Sequence, residues 1–407
     1  MIFERYLLKQ ALRPALIQKK ASKHLGLIVV IPAYDEESLI PCLNSLQQSD
    51  KTEKAVEVIV VFNASELTSN EIKEKNKKAA QEADEWFQRL ESPNFSLHFI
   101  IENELPSKHA GVGLARKIGM DEAVRRFEQV GNQNGVIACF DADSQCEPNY
   151  LTAIEAHFQT YPKTTATSIY FEHPLDGQQF DQSIYRGILF YEMHLRYYKQ
   201  ALAYANMPFA FHTVGSSMAV SAKAYCLEGG MNKRKAGEDF YFLQKFIKAG
   251  NFMEIKNTKV IPSPRPSHRV PFGTGRAIQE MLNEERKIDE SYAWESFEVL
   301  KELSTQVPLW WKHEAKVPKL FIDFVCKETF LNKVVEIKRQ TSNETNFVRR
   351  FYEWFDAFQC LKFMHYLRDN IYPNQNLLKV VPQLIGQEFN GVEAKDLLNK
   401  LREIDRS

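Results

Sequence analysis

Four apolar runs, each followed by a helical stretch, constrain this chain more than any other feature. LGLIVVIP (25–32), VEVIVVFN (56–63) and SLHFIIE (96–102) are rich in β-branched and other apolar residues, and GVIACFDADS (135–144) adds a fourth run that ends on acids. Between them lie a Leu39/Leu43/Leu46 helical face, a Glu/Lys-rich stretch from Glu66 to Arg89, and GVGLARKIGMDEAVRRF (111–127). Near-continuous apolar strands alternating with helices predict βαβ units and a mostly parallel sheet covered on both faces. In an open sheet of that kind, ligands bind beyond the carboxyl ends of the strands. Tyr34, Asp35, Glu36, Asn63, Asp141 and Asp143 all fall at such ends.

The rest of the 407 residues divides in two. From 145 to 275 the pattern loosens, with strands predicted at 164–172 and 253–262. HTVGSSMAVSAKAY (212–225) reads as a strand running into a helix, and helices are predicted at 183–202 and 237–251. After Arg276 strand signals vanish and long helical periods dominate, and the stretch 348–372 carries Phe351, Trp354, Phe355, Phe358, Leu361 and Met364 as an apolar helical face. The expected organisation is an N-terminal amphipathic helix over 1–25, an α/β domain over 26–276 and a helical region over 277–407. The basic N-terminal helix reads as packed on the domain, with peripheral contact at the inner face of a membrane left open.

Composition narrows the function classes. Fifty-two Lys and Arg balance fifty-two Asp and Glu, which argues against a surface built for nucleic acid. Six cysteines show no C-x-x-C and no zinc spacing, so no disulfide framework or structural zinc is expected, and a reducing cytoplasm is the expected home. The first twenty residues lack the apolar core of a secretory leader, and the uncharged stretch from Gln200 to Ala222 is too polar for a membrane span.

Three constellations carry chemistry. Asp141-Ala142-Asp143 places two carboxylates one residue apart after a strand. Carboxylate oxygens suit Mg²⁺ or Mn²⁺, although Asp also serves strand-to-loop turns. Gly237-Glu238-Asp239 opens a helix. The acids complement the helix dipole, or Asp239 serves as a base, kept ionised and weakened by that dipole. Between Glu254 and Glu280 the only charged residues are Lys256, Lys259, Arg265, Arg269 and Arg276, with His268 among them. Such a loop is either a solvated basic segment or a seat for a diphosphate. Gly111-Val112-Gly113 lacks the third glycine of a dinucleotide fingerprint, and neither a P-loop nor a G-x-S-x-G elbow occurs.

IVVIPAYDEE, FDADS, VGSSMAVSAKAYCLEGGMNKRKAGEDFYFLQKFIKAG and RVPFGTG, in that order, resemble bacterial family 2 glycosyltransferases of the GT-A fold over about residues 26–276. The resemblance implies a Rossmann-like, mostly parallel sheet flanked by helices, and an inverting, metal-dependent transfer in cell-envelope polysaccharide synthesis. A nucleotide-diphospho-sugar is the implied donor and a hydroxyl on a glycan, lipid-linked molecule or small molecule the implied acceptor. It implies Pro32, Tyr34, Glu36, Asn63, Arg116 and Asp141 as nucleotide contacts and Arg265, Arg269 and Arg276 at the diphosphate. Asp143 with His268 would hold Mn²⁺ or Mg²⁺, and Asp239 beside Glu238 would be the catalytic base. The chain departs from the family at Phe62-Asn63, where an Asp-Asp pair is usual, and at Lys117, where Asn is usual. Nucleotidyl transfer and a non-catalytic GT-A-like scaffold are the competing readings.

Overall fold

The computed structural model describes residues 2–267, 269, 273–313, 316–387 and 391–407. It divides into two compact units, the first formed by residues 1–185, 213–279 and 406–407, the second by 186–212 and 280–405.

The first unit begins with α1 (Ile2–Gln10) and β1 (Leu25–Ala33), followed by α2 (Ile40–Gln47), β2 (Ala55–Ser65), α3 (Asn70–Gln88), β3 (Ser96–Leu105), α4 (Val112–Gln129) and β4 (Val136–Cys139). It continues through β5 (Gln145–Cys146), α5 (Tyr150–Thr160), β6 (Ala166–Phe171) and the start of α6 (Gln182–Tyr204). It resumes with β7 (Met218–Ser221), α7 (Ala222–Leu227), α8 (Glu238–Ala249), β8 (Phe252–Ile261) and α9 (Thr274–Leu282). The described strands form an eight-stranded sheet in the order β3-β2-β1-β4-β7-β6-β8-β5. Pairings among β3, β2, β1 and β4 are parallel, β6 and β8 are parallel, and β7 and β5 pair antiparallel to their neighbours. The expected mostly parallel, helix-flanked GT-A sheet is therefore present.

Burial explains the apolar runs. All of Val56–Ala64 in β2 and Leu27–Ala33 in β1 are buried, as strands covered on both faces must be. β3, at the edge, alternates more and leaves Ile101 exposed. Pro32 would cost a ladder bond between two neighbours, but pairing with β4 ends at Val30–Cys139, so Pro32 borders β2 alone, opposite Val61.

The N-terminal segment differs from the expected single helix. α1 ends at Gln10 and residues 11–24 run as a strap, consistent with Pro14 blocking continuation. Phe3, Tyr6 and Ile17 join the core with Tyr225, Met231 and Phe246. Tyr6 and Tyr225 hydroxyls both donate to Asp121 Oδ1, at 2.7 and 2.8 Å, and Lys117 Nζ donates to the Tyr6 hydroxyl at 3.0 Å. Lys117, the departure from the family pattern, thus belongs to this buried cluster.

The second unit is helical: the body of α6, then α10 (Trp294–Gln306), α11 (Leu309–Lys312), α12 (Lys319–Val325), α13 (Lys327–Arg339), α14 (Glu344–Trp354), α15 (Ala357–Asn370), α16 (Leu377–Ile385) and α17 (Ala394–Arg406). A two-residue pair, β9 (Glu290–Ser291) and β10 (Gln375–Asn376), is an addition to the all-helical expectation. The helical stretch over 348–372 breaks at Phe355. Asp356 caps the next helix by accepting from the Phe358 and Gln359 N–H groups, a stop-and-start signal stronger than the continuing apolar face. Of the tail tryptophans, Trp310 is buried edge-to-face on Phe330, whereas Trp294, Trp311 and Trp354 are half-buried. No helix among the described residues is long and apolar enough to cross a membrane.

Candidate functional site

Two strand pairings assemble the site. Gln145 pairs with Ile261, so the chain leaving β8 passes Asp143. Cys139 pairs with Met218, so the segment entering β7, Gly215–Ser217, runs beside the segment leaving β4. Residues more than a hundred positions apart thereby meet at the carboxyl ends of β1 and β4.

At the end of β1, Glu36 is 7% exposed and accepts from Arg265 Nη2 and from Arg269 Nη1, both at 2.8 Å. Arg269 Nη1 also donates to the Tyr34 carbonyl. Arg265 Nη2 also reaches Asp143 Oδ2 at 3.0 Å. Glu36, Asp143, Arg265 and Arg269 are therefore one ion-pair network, with the two arginines turned onto the acids. Arg276 lies in the first turn of α9, next to Gly275, whose carbonyl accepts from the Ser267 N–H at 2.8 Å. Pro32 is buried inside β1, and Asn63 is 5% exposed near the end of β2. His268 lies outside the described residues.

Asp35 sits between these groups with φ 54°, a left-handed conformation that Asp tolerates better than most residues. Its N–H donates to Asn76 Oδ1 at 3.0 Å and its carboxylate pairs with Lys75 at 2.7 Å. Asn76 is fully buried. The exposed-looking α3 thus holds the turn that carries Tyr34 and Glu36.

Arg116 joins the remaining acids. It lies on α4 and is 3% exposed. Nη2 donates to Asp141 Oδ1 at 2.5 Å, and Nη1 donates to Glu238. Asp239 follows, and its Oδ1 accepts the Phe240 N–H at 2.7 Å. Gly237, at φ 65°, turns the chain into α8 in a conformation that costs glycine little.

Residues 28–216 match the family model for glycosyl transferase family 2. Over those residues the chain is similar to family 2 glycosyltransferases. A search of the curated proteins finds no match. Among solved structures the chain is similar to S. aureus TarS 1–349 in complex with UDP-GlcNAc, at 13% identity and TM-score 0.40, over 94% of this chain and 89% of that one. It is also similar to the mannosyltransferase PcManGT from Pyrobaculum calidifontis in complex with GDP-Man and Mn²⁺, at 12% identity and TM-score 0.37, over 99% of this chain and 93% of that one.

The electrostatics of this cluster follow from its packing. Burial, then repulsion from Asp141, pushes Asp143 up to about 6 in spite of Arg265. Burial also raises Glu238 and Asp239, and Arg116 opposes the rise. For Asp239 the rise through loss of water runs opposite to the lowering expected from the helix N-terminus. No group of three metal-ligating side chains occurs among the described residues. Asp143 nonetheless fits a hard divalent cation. Its side chain is 34% exposed, and Arg265 and Arg269 together do not offset its desolvation and the neighbouring Asp141.

Asn76, Lys75 and Gly215 take part in the site and were not among the sequence candidates. Lys75 and Asn76 carry no local signal within a Glu/Lys-rich helix. Gly215 lies in the VGSS run, where a glycine directly before a buried strand hints at close approach.

Proposed function

We propose that the domain transfers a sugar from a nucleoside-diphosphate sugar to a hydroxyl acceptor with inversion. The observation that carries this reading is that Asp141 and Asp143, inside the segment similar to glycosyl transferase family 2, meet Glu238–Asp239 from beyond it at the carboxyl ends of β1 and β4. TarS with UDP-GlcNAc and PcManGT with GDP-Man supply the first donors to try.

Asp239 takes the proton of the acceptor hydroxyl as its oxygen attacks the anomeric carbon. The bond from that carbon to the diphosphate oxygen breaks on the opposite face, and the nucleoside diphosphate leaves with the electron pair. Asp143 would hold a Mn²⁺ or Mg²⁺ ion, which supplies neutralisation of the leaving diphosphate. Arg265 and Arg269 already neutralise Glu36 and Asp143; turned from these acids to the diphosphate, they stabilise the same developing charge. Pro32, Tyr34, Glu36 and Asn63 border the nucleoside end, and Asp141, 38% exposed, faces the ribose and diphosphate. Arg276 and His268 complete the basic loop.

Nucleoside diphosphate release from UDP-GlcNAc, GDP-mannose and related donors, with and without Mn²⁺, tests the reading. Asp239→Asn and Asp143→Ala are expected to lose at least about 100-fold in turnover while remaining folded. Wild-type rates in both variants, or no release from any donor by the unaltered chain, would overturn it.

A further inference from the structure

We propose that Arg116 is a positioning residue that fixes the spacing between Asp141 and the first turn of α8, rather than a contact to the nucleotide. This rests on the reading of the site as a glycosyltransferase centre.

The geometry leaves Arg116 little to offer a ligand. Both terminal nitrogens are committed, one to Asp141 and one to Glu238, and Nε is buried without a partner. A diphosphate reaching this guanidinium would have to displace a carboxylate. The surrounding backbone is shaped to hold it. A Cβ at Gly215 would lie 2.7 Å from Nη1 and from Nη2, so the absent side chain is the guanidinium's seat. A Cβ at Gly113, on the same helix as Arg116, would lie 2.3 Å from the Arg234 carbonyl oxygen and 2.9 Å from the Glu238 Cβ. Those two glycines bring α4 and the loop before β7 against the start of α8 with no side chain between them.

The consequence is mechanical and electrostatic together. Asp141 leaves β4, while Glu238 and Asp239 open α8, and no strand pairing joins α8 to β4. A planar fork with two donor ends fixes both partners at once, which an ammonium cannot do. Arg116 also supplies the positive charge that offsets three neighbouring acids: Asp141, Glu238 and Asp239. α8 stays anchored by Phe242, Leu243 and Phe246 in the core, but without Arg116 its first turn loses its tie to Asp141, and the base loses its set distance to the reacting carbon. A misplacement of about 1 Å is enough to cost about 100-fold in rate.

The test compares the full chain with Arg116→Gln and Gly215→Ala. It uses amide hydrogen exchange over residues 237–242 and steady-state kinetics with whichever nucleotide sugar the unaltered chain turns over. The expected result for Arg116→Gln is exchange at least about 10-fold faster at the start of α8, with β1 and β2 unchanged. In the same variant kcat falls about 100-fold while the donor KM moves less than about threefold, and added guanidinium at about 50 mM restores part of kcat. Should Arg116→Gln not accumulate folded, Gly215→Ala, which keeps the arginine and crowds its seat, reads the same change. A donor KM raised at least about 10-fold at unchanged kcat, with unchanged exchange, would overturn the proposal and return Arg116 to the nucleotide. An unaltered chain that releases no nucleoside diphosphate from any donor refutes the glycosyltransferase reading instead, and the exchange measurement then judges the clamp alone.

Discussion

Asp143 shows how a single side chain records what its site is for. Its carboxyl is held up at about 6, where an unfolded Asp titrates near about 3.9. Between those values the folded chain binds the proton and the unfolded chain does not, so ionising Asp143 costs the folded state stability as pH rises from about 4 to about 6. With the side chain a third exposed, solvent screening reduces the cost to at most about 1–2 kcal/mol. Asp143→Asn is therefore expected to raise the Tm by about 3 °C at pH 7.5 and to leave it unchanged at pH 4, as read by calorimetry. An equal change at both pH values would place the effect in packing rather than charge. Asp239 makes the companion prediction. With Asp239 in the proposed role of base, its raised pKa predicts that turnover falls on the acid side as it is protonated. The acid limb of the kcat profile is expected above the usual Asp range, and Asp239→Glu, with its longer reach, is expected to keep the limb and lose rate. These individual acids were legible in the sequence because they follow apolar strands or open a helix. Their partners were not. Nothing local to Arg265 says that it lies on Glu36 and Asp143, since that contact is made by the pairing of Gln145 with Ile261.

At the scale of elements, apolar runs marked β1, β2 and β4 to within about five residues, because strands buried on both faces have few polar positions to blur them. The N-terminal segment was harder. Its helical spacing is real for α1 but does not reveal that the following strap folds back onto α4, where Glu122 accepts from the Leu16 and Ile17 N–H groups. That packing predicts an integral element. Phe3→Ala, at a position 6% exposed, is expected to cost about 3 kcal/mol, read as a lower urea midpoint. Tyr6→Phe removes one of the two hydroxyls on Asp121 and is expected to cost about 1–2 kcal/mol. Leu8, 82% exposed, serves as the control, and Leu8→Ala is expected to change the midpoint by less than about 0.5 kcal/mol. If Phe3→Ala proves as mild as Leu8→Ala, α1 is an ornament and not part of the core.

For the whole molecule, the change of character after Arg276 was plain, but a tertiary link across the chain was invisible. Arg186–His212 lies within the run of sequence that forms the first unit and belongs to the helical unit with 280–405. Within that unit α6 and α17 are held by buried charge. Arg196, with no exposed side-chain surface, donates to Glu192 at 2.8 Å and to Asp405 at 2.6 Å. Arg402 donates to Glu192 at 2.7 Å, and Asp405 also accepts from Lys199 at 3.1 Å and pairs with His212 at 2.9 Å. Burial alone would raise the Asp405 carboxyl. The His212 bond, with Lys199 and Arg196, outweighs burial and holds it far below the usual carboxylate range. Its contribution is therefore full above about pH 4 and is lost as pH falls toward the folded value. Breaking such a network from one side leaves Arg196 charged and buried, at a cost of about 3–5 kcal/mol, whereas the network as a whole is worth much less. Asp405→Ala is expected to lower the unfolding midpoint steeply at pH 7 and only somewhat less at pH 3, where the folded carboxyl is still ionised. A chain ended at residue 276, the apparent boundary of the α/β domain, strips α6 of Asp405 and Arg402 together. It is expected to expose the buried face of α6 and to elute as aggregate in size-exclusion chromatography. A monomeric 1–276 fragment with native near-ultraviolet dichroism would show instead that α6 stands without the helical unit, and that the network serves the C-terminal helix alone.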